Sequence, residues 1–386
     1  MKIITSTSDL AAFCNSAKNF EFVTVDTEFL RETTYWPILC LVQMATDDEA
    51  VIVDPMVDGI DLSPMFELFQ DTSVVKVFHA AKQDVEIFVK LSGATPTPLF
   101  DTQVAAAVCG FGDSISYDNM VRQISGNQVD KSSRFTNWSH RPLTDKQLTY
   151  AIGDVTHLRE CYTHIRNRVI EQNRESWVAA ELDALMDASN YIVQPEDAWK
   201  RMKMKVNRPR DFAAMKRLAA WREAKAQRED VPRGRVMKDE AIYELSQQQP
   251  TSTKAFDRLR SFSKGFGRSS AAREIMDIIE DVKAIDKDDL PAIKRKPNGP
   301  SPKGAICDLL RVLLKAVSEQ EGVAPRIIAS SDDIDSIVLD DDADVPALKG
   351  WRKDVFGEKA LAIKHGKLGL AATRKGIVPI DVDLED

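Results

Sequence analysis

Short apolar runs alternate with amphipathic segments along the first half of the chain. The apolar runs are rich in Val, Ile and Phe and have the length of strands. These predicted strands lie at 2–4, 22–29, 38–45, 50–53 and 74–78. The other segments repeat apolar residues with the period of a helix. Predicted helices lie at 10–16, 62–70, 82–91, 102–109, 117–124, 145–172 and 175–188.

The alternation of strands and helices is typical of an α/β domain, which we place at residues 1–195. A short polar connection, the TDDE sequence at 46–49, joins the third and fourth predicted strands. A connection this short favours antiparallel neighbours. Strands two to four are therefore expected to form an antiparallel meander.

The second half of the chain has a helical pattern that polar stretches interrupt. Basic residues dominate 200–210, and Pro209 is expected to break any helix that continues through this stretch. Amphipathic periods resume at 212–228, 240–248, 271–282 and 305–319. We therefore predict linkers at 196–209 and 286–303, helical modules at 210–285 and 304–380, and an acidic tail at 381–386.

The composition is that of an ordinary globular protein. Of the 386 residues, 43% are hydrophobic and 29% are charged, and no apolar run has the length of a membrane span. The first residues lack the long apolar core of a signal peptide, so we expect a cytoplasmic protein. The five cysteines are scattered, with no CxxC pair and no histidine at zinc-ligand spacing, so neither a disulfide framework nor a zinc site is indicated.

Charge is distributed unevenly along the chain. The net charge of −8 would by itself argue against a nucleic-acid partner. Residues 199–275, however, carry 20 Lys and Arg against 9 Asp and Glu, a local net charge of +11 that leaves −19 for the rest. We interpret the chain as a basic module attached to an acidic one.

Two carboxylates interrupt the apolar run of the second predicted strand. In the sequence VTVDTEFL at 23–30, strand geometry places Asp26 and Glu28 on one face and Thr27 on the other. Two like charges this close repel by about 4 kcal/mol at an effective dielectric constant of 20. A divalent cation bound by the carboxylate oxygens would offset this repulsion. Carboxylates that bind such a cation are also the arrangement used in metal-dependent phosphodiester chemistry.

Two further acidic residues lie at the edges of regular elements. Asp84 occupies the first turn of a predicted helix, where a carboxylate could also simply complement the helix dipole. Asp154 follows Tyr150 by four residues, so the phenol and the carboxylate share one helical face. A core tyrosine beside a solvated aspartate would have the same spacing.

Together these residues resemble the motifs of the DEDDy 3′–5′ exonucleases: VDTEF, an aspartate after an apolar strand and a histidine, and YxxxD on a helix. The sequences FDTQ at 100–103, DKS at 130–132, NW at 137–138 and RPL at 141–143 narrow the resemblance to the ribonuclease D family, over residues 1–195. It implies a ribonuclease H-like α/β fold, in which a mixed sheet is flanked by helices and its first three strands are antiparallel. The acidic cluster would lie at the centre of that sheet.

The resemblance also implies the roles of the acidic residues. Asp26, Glu28, Asp84 and Asp154 match the family's metal ligands, which would hold two Mg²⁺ or Mn²⁺ ions. Tyr150 would orient the attacking water. Two such ions can activate water and stabilise the leaving oxygen at the scissile phosphate.

Candidate substrate-binding residues lie near these motifs. The polar loop at 126–143 carries Lys131 and Arg134, which could hold backbone phosphates or could simply be solvated. Gln43 and His79 complete the predicted substrate-binding set. His79 also differs from the pattern of the wider superfamily. Many exonucleases of that superfamily have an asparagine in this neighbourhood, and we do not assign that asparagine's role to any residue of this chain.

The basic module resembles the helicase-and-ribonuclease-D C-terminal (HRDC) domain over about 210–285. The resemblance rests on the amphipathic helix at 212–228, the VPRGRV sequence at 231–236 and the turn at 265–268. HRDC modules are small helical bundles that generally aid nucleic-acid binding, and a helical spacer with solvated charges is the alternative. Residues 323–333 and 348–357 resemble a second, acidic HRDC-like bundle, for which a spacer role is the alternative.

We therefore predict a metal-dependent 3′–5′ exoribonuclease. The resemblance implies that it trims the 3′ ends of structured RNAs, notably tRNA precursors, and releases nucleoside 5′-monophosphates. We expect a monomer with no membrane partner. A DNA 3′-exonuclease shares the carboxylates, although no polymerase or helicase region is present. A catalytically silent RNA-binding protein would be expected to lack one or more ligands, and this chain has all of them.

Overall fold

The computed structural model of this chain describes residues 2–204, 206–293, 304–374 and 376–382. Contacts divide them into two compact units. The first is formed by the described residues of 1–28, 39–188 and 299–386, and the second by those of 29–38 and 189–298. The predicted linker at 286–303 and the predicted acidic tail fall mostly outside the described residues. The predicted domain boundaries stay predictions.

A six-stranded mixed sheet forms the centre of the first unit. Its strands are β1 Lys2–Ile4, β2 Phe22–Leu30, β3 Ile38–Ala45, β4 Ala50–Val53, β5 Val75–Phe78 and β6 Leu99–Asp101. The strand order is β1-β4-β3-β2-β5-β6, which places β2 inside the sheet. Strand β3 is antiparallel to β4, whereas β5 is parallel to both β2 and β6. The predicted mixed sheet flanked by helices is confirmed.

Two details of the sheet differ from the sequence prediction. The first strand along the chain, β1, is not part of an antiparallel set, because it pairs in parallel with β4. Strand β6 was not predicted at all. It directly follows Pro98, and its short sequence, LFD, ends in a charged residue instead of continuing as an apolar run.

Seven α-helices accompany this sheet among the described residues up to 188. They are α1 Thr7–Ala17, α2 Ser63–Gln70, α3 Lys82–Ser92, α4 Thr102–Val108, α5 Tyr117–Ser125, α6 Asp145–Glu171 and α7 Glu175–Met186. Side-chain caps fix where several of them begin. The Ser6 hydroxyl accepts the Asp9 N–H before α1, and the Asp101 carboxylate accepts the N–H groups of Gln103 and Val104 before α4. None of the helices in the described part of the chain has the length and apolar character needed to cross a membrane.

The second unit is a helical bundle. Its helices are α8 Pro209–Glu229, α9 Arg233–Val236, α10 Asp239–Gln248, α11 Thr253–Phe256 and α12 Ser270–Lys283. Pro209 occupies the first turn of α8, where a proline needs no N–H partner, so it begins a helix. Leu218, Ile242, Phe256 and Ile275 are among the residues that form the bundle's core.

The segment Phe29–Ile38, which directly follows Glu28, belongs to this second unit. Its Tyr35 hydroxyl donates to the carboxylate of Glu223, which is fully buried and also accepts from the Arg233 guanidinium. A buried carboxylate needs such a cation, because removing one partner of a buried pair leaves an uncompensated charge.

Residues 304–374 and 376–382 pack within the first unit. They form α13 Ala305–Glu321, α14 Pro325–Ile328, α15 Ser331–Leu339, α16 Gly350–Arg352, α17 Glu358–Lys364 and the strands β7 Leu368–Thr373 and β8 Gly376–Asp381. The antiparallel hairpin of β7 and β8 was not predicted. Its β-branched residues Ile377, Val378 and Ile380 favour an extended chain.

A close contact joins this C-terminal part to the rest of the first unit. The Trp351 ring stacks on Trp177 with 4.3 Å between centroids and 11° between planes. Glu181 accepts from both the Trp351 indole and the Arg352 guanidinium. Gly110 allows a similar approach, since a Cβ there would lie 2.7 Å from the carbonyl oxygen of Gly322.

Candidate active site

Three carboxylates meet between the central strand and a helix of the first unit. Asp26 and Glu28 lie on β2, and Asp154 lies on α6. One carboxylate oxygen from each can be chosen so that all three atoms lie within 4.8 Å of one another. The strand alternation that predicted a shared face for Asp26 and Glu28 is consistent with this cluster.

Local hydrogen bonds position Asp154 against the strand. Helix α6 begins with a capping box, in which the Thr144 hydroxyl accepts the Gln147 N–H and the Gln147 side chain accepts the Thr144 N–H. Next to Asp154, the carbonyl of Val155 lies 2.9 Å from the buried Thr24 hydroxyl of β2, which donates to it. This bond connects the strand to the helix beside the cluster.

Asp84 lies at the edge of the cluster. It is buried in the first turn of α3, and the hydroxyl of Thr27 donates to it. Its charge raises the pKa of Glu28, although Asp84 is not among the three carboxylates grouped within 4.8 Å. Thr27 thus connects strand β2 to Asp84, a contact that strand alternation alone does not predict.

Burial and mutual repulsion disfavour the simultaneous ionisation of these carboxylates. Burial, followed by the charge of a neighbouring carboxylate, raises the pKa of Asp26 and of Asp84 well above the ordinary value. The same causes raise the pKa of Glu28 to about 10, and burial raises the pKa of Asp154 to about 7. Three clustered, partly buried carboxylates with too little positive charge nearby fit a hard divalent cation, which would favour their ionised forms.

Tyr150 lies beside the carboxylate cluster. Its hydroxyl donates a hydrogen bond to Asp154, which acts to lower the pKa of that carboxyl. The Tyr150 ring packs against the buried ring of Trp138, with centroids 5.9 Å apart. Burial and the surrounding carboxylates raise the pKa of Tyr150 above its ordinary value, so the phenol keeps its proton at neutral pH.

The two predicted basic residues of the loop have different surroundings. The positive charge of Arg134 acts on Glu28, Tyr150 and Asp154, so it faces the cluster. Lys131 instead forms an ion pair with Asp118 at 2.7 Å. Arg134 is therefore the better placed of the two for contact with a phosphate near the carboxylates.

Arg141 anchors the end of this loop, and sequence reasoning did not assign it a role. Its guanidinium donates to both oxygens of Asp54, at 2.6 and 2.7 Å, and to the carbonyl of Cys40. The RPL sequence noted above contained this arginine, but these two partners lie about 90 to 100 residues away. Tyr117 was also missed, and its hydroxyl donates to the carbonyl of Gly153, next to Asp154.

His79 is held by protein groups on both sides of its ring. Its Nδ1 lies 3.0 Å from the Thr102 hydroxyl, and its Nε2 lies 3.1 Å from the carbonyl of Ile115. Burial lowers the pKa of His79, so the neutral ring donates from Nε2 to that carbonyl. With both nitrogens engaged, the predicted contact of His79 with substrate would have to use the ring face or follow a rearrangement.

Gln43 is fully buried on β3, and neither amide atom has a hydrogen-bond partner among the described residues. A buried amide without partners costs about 1–3 kcal/mol. Gln43→Leu should therefore raise the free energy of unfolding by about 1 kcal/mol or more, which urea denaturation would measure. An unchanged or lower stability would contradict this expectation.

A higher KM in the same variant would support the predicted substrate contact.

Comparison with known proteins identifies the family. Residues 1–170 match the family model of a 3′–5′ exonuclease, and residues 211–279 match that of the HRDC domain. Ribonuclease D of Nitrobacter hamburgensis is 47% identical over 381 residues, which cover 99% of this chain and 100% of the relative. Ribonuclease D of Bartonella henselae is 44% identical over 96% of this chain and 91% of the relative.

The fold comparison agrees. The crystal structure of Escherichia coli RNase D, described as an exoribonuclease involved in structured RNA processing, matches with a TM-score of 0.81 and 27% identity. The match covers 94% of this chain and 98% of that one. The chain belongs to the ribonuclease D family of 3′–5′ exoribonucleases, as its motifs predicted.

Proposed function

We propose that this exoribonuclease trims the 3′ ends of structured RNAs, notably tRNA precursors, and releases nucleoside 5′-monophosphates by hydrolysis that requires two divalent cations. The observation that supports the proposal best is the cluster of Asp26, Glu28 and Asp154 on the central strand and helix α6. The E. coli relative, described as processing structured RNA, supports the substrate class.

Each candidate residue has a proposed part in the reaction. Asp26, Glu28, Asp84 and Asp154 would hold the cations, with Asp84 at the edge of the site. Bound Mg²⁺ or Mn²⁺ would act as a Lewis acid at the phosphate and make water a better nucleophile. Tyr150, fixed by its hydrogen bond to Asp154, would orient the attacking water.

Arg134 has a separate proposed part on the substrate side. Its charge already acts on Glu28, Tyr150 and Asp154, so a phosphate that approaches these groups would meet the guanidinium. A guanidinium can bind two phosphate oxygens at once and thereby fix the orientation of the RNA backbone. Lys131 would join this contact only if its ion pair with Asp118 opened.

A substrate comparison tests the proposal. The full chain is incubated with a 3′-extended tRNA and with a single-stranded DNA of equal length, first with Mg²⁺ and then with excess EDTA. We expect 5′-monophosphates to be released from the RNA 3′ end, faster than from the DNA, and we expect EDTA to stop the reaction. Products with 3′-phosphates, release from the 5′ end, or activity in EDTA would contradict it.

The second unit offers an RNA-binding surface of its own. Lys254, Arg258, Lys264 and Arg268 are exposed within 15 consecutive residues. No ion pair joins any of these side chains to a carboxylate in the part of the chain that the structure describes. Cations without acidic partners on an HRDC domain support a contact with backbone phosphates.

Changing these four cations to glutamine should weaken RNA binding without preventing catalysis. For single-stranded RNA, each cation that no longer neutralises a phosphate lowers the slope of log affinity against log salt by about 0.7. If all four bind phosphates, the slope of the variant should therefore be shallower by about 3. Fluorescence anisotropy of a labelled single-stranded RNA from low to moderate salt would measure this slope.

The matched control for this prediction removes four exposed cations that already have acidic partners. These residues are Lys2, Lys200, Arg311 and Lys349. Their replacement by glutamine changes the net charge equally but should leave the slope nearly unchanged. Equal slopes in the two variants would mean that the surface from Lys254 to Arg268 does not contact RNA.

We also propose that the protein acts as a monomer in the cytoplasm. The ribonuclease D relatives are bacterial, and the proposed tRNA-precursor substrates support this location. Sedimentation velocity of the full chain would test the monomer, and a concentration-dependent dimer would contradict it.

A further inference from the structure

Phe135 is exposed in the polar loop beside the carboxylate cluster. Its side chain is 92% exposed, whereas the next most exposed large hydrophobic residue among those described, Leu339, is 59% exposed. Burial of a phenylalanine ring stabilises a protein by about 1.5–3 kcal/mol. A ring held almost entirely in solvent beside a catalytic site therefore gains nothing for folding and is free to bind.

The exposure of Phe135 is not the result of a loose chain. The residues on both sides of it are anchored, since Ser133 and Trp138 are buried. The Thr136 hydroxyl donates to the carbonyl of Ser133 at 2.8 Å and accepts from the Gln147 amide at 3.2 Å. The loop thus fixes the backbone on either side of the ring and directs the ring outward.

Arg134 connects the ring to the cluster. Its guanidinium carbon lies 5.3 Å from the Phe135 ring centroid, and its charge acts on Glu28 and Asp154. The flat apolar ring of Phe135 and the cation of Arg134 therefore lie next to each other, beside the carboxylate cluster. That pair matches one nucleotide, with the ring for a base and the guanidinium for its phosphate.

We propose that Phe135 is a stacking platform for an unpaired base of the RNA substrate, on the 5′ side of the bond that is hydrolysed. The phosphodiester nearest the 3′ end must reach the carboxylate cluster, so the ring outside the cluster meets a base on the 5′ side of that bond. A base in a single-stranded stretch can leave the stack and present its face to an aromatic side chain. The platform would therefore make the enzyme select 3′ ends that carry a single-stranded stretch.

This inference rests on the proposed function, because it assumes that an RNA 3′ end enters the cluster. Its test uses equilibrium binding in EDTA, so that the result does not depend on hydrolysis. The probe is a fluorescently labelled RNA hairpin with an unpaired 3′ tail. A matched series carries one abasic nucleotide at each successive tail position.

Stacking on one aromatic side chain contributes enough affinity to predict an increase in Kd of about 5- to 150-fold when the ring is removed. We expect Phe135→Ala to raise the Kd for the intact tail by such a factor. For the parent protein, one abasic position should raise the Kd similarly. That same abasic RNA should bind Phe135→Ala no more weakly than the intact RNA does, because ring and base act as a pair.

Two variants serve as controls. Phe135→Trp keeps an aromatic face and should retain the affinity and its sensitivity to the abasic position. Ile170→Ala removes another exposed apolar side chain from α6, 16 residues beyond Asp154 and hence about 24 Å along the helix. It should not change the Kd.

Other outcomes would overturn the inference. If Phe135→Ala bound the intact RNA with the Kd of the parent, no base would stack on the ring. The same conclusion would follow if every abasic position raised the Kd equally in the variant and in the parent. A change in oligomeric state of Phe135→Ala on size-exclusion chromatography would mean that the ring binds a second copy of the chain. Failure of the proposed function would be seen separately, as absence of 3′ hydrolysis by the parent with Mg²⁺.

Discussion

Asparagine in place of Asp26 should abolish 3′ hydrolysis and leave a folded protein that is more stable than the parent in EDTA at neutral and alkaline pH. Asp26 is partly buried beside Asp154 and Glu28, and its carboxylate raises the pKa of Glu28. Asparagine keeps the shape of the side chain but removes one of these like charges. The site then loses a cation ligand while the fold loses a source of repulsion.

The direction of this effect on the free energy of unfolding follows from how that free energy depends on pH. The pKa values of Glu28 and Asp154, about 10 and about 7, lie above those of the unfolded chain. The folded state therefore holds protons that the unfolded state has released, from about pH 4 up to each folded pKa. In EDTA the parent should lose stability as the pH rises through this window. The Asp26→Asn variant should lose less.

Thermal melts in EDTA between about pH 5 and 9 would measure this difference, and melts with added Mg²⁺ would complete the test. About 1 kcal/mol of relieved repulsion corresponds to an increase of roughly 2–4 °C in Tm for a domain of this size. Mg²⁺ should stabilise the parent by mass action and the variant much less. Asp58→Asn, at an exposed position, is the control. A large drop in Tm of Asp26→Asn in EDTA would make Asp26 a structural residue.

The sequence predicted the parts of this site that depend on local periodicity. Alternation along β2 placed Asp26 and Glu28 on one face, and the helical spacing of Tyr150 and Asp154 placed the phenol beside the carboxylate. In the structure the Tyr150 hydroxyl acts to lower the pKa of Asp154, and Asp154 lies within reach of the two strand carboxylates.

No periodic pattern in the sequence indicates the interactions between distant segments. Arg141 binds Asp54 across 87 positions, and Trp177 stacks on Trp351 across 174. Each pair joins side chains whose own neighbours in the sequence predict only a loop or a helix. Such pairings are selected by tertiary packing, which a single sequence does not display.

The course of the chain after Glu28 is a further example. Strand β2 extends from Phe22 to Leu30, yet the contacts of Phe29–Ile38 belong to the second unit. The periodicity of the strand does not change at Glu28. The assignment depends instead on partners such as Glu223, which accepts from the Tyr35 hydroxyl almost 190 residues away.

Phenylalanine in place of Tyr150 should lower kcat by about 10²- to 10³-fold, the scale of one transition-state hydrogen bond, and leave RNA affinity nearly unchanged. The substitution removes one hydroxyl and keeps the ring that packs on Trp138. A decrease of this size would therefore report the orienting role of the hydroxyl. Full activity would remove Tyr150 from the site and leave it a packing residue.

The matched control is Tyr162→Phe, on the same helix. Tyr162 is buried and packs against the rings of Phe22 and Phe100. Its change to phenylalanine also removes one hydroxyl from a buried aromatic side chain of α6. If both variants lost activity equally, the effect of Tyr150→Phe would reflect the helix rather than the reaction.

The shape of the pH–rate profile distinguishes an orienting hydroxyl from a general base. Without bound cations, burial and the nearby carboxylates raise the pKa of Tyr150, which favours the phenol as a hydrogen-bond donor over a proton acceptor. At saturating Mg²⁺, Tyr150→Phe should therefore lower the whole profile between about pH 6 and 10 without removing a limb. Single-turnover rates would show this, and a missing limb would make Tyr150 the base.

At limiting Mg²⁺ the same variant should behave differently. The Tyr150 hydroxyl stabilises ionised Asp154, whose pKa is already raised to about 7 by burial. Without that hydrogen bond the pKa of Asp154 should rise further, so fewer molecules have an ionised ligand near neutral pH. The acidic limb should then move to higher pH as Mg²⁺ is lowered, and more so than in Tyr162→Phe. An acidic limb that stays in place would mean that the hydrogen bond from Tyr150 does not control the ionisation of Asp154.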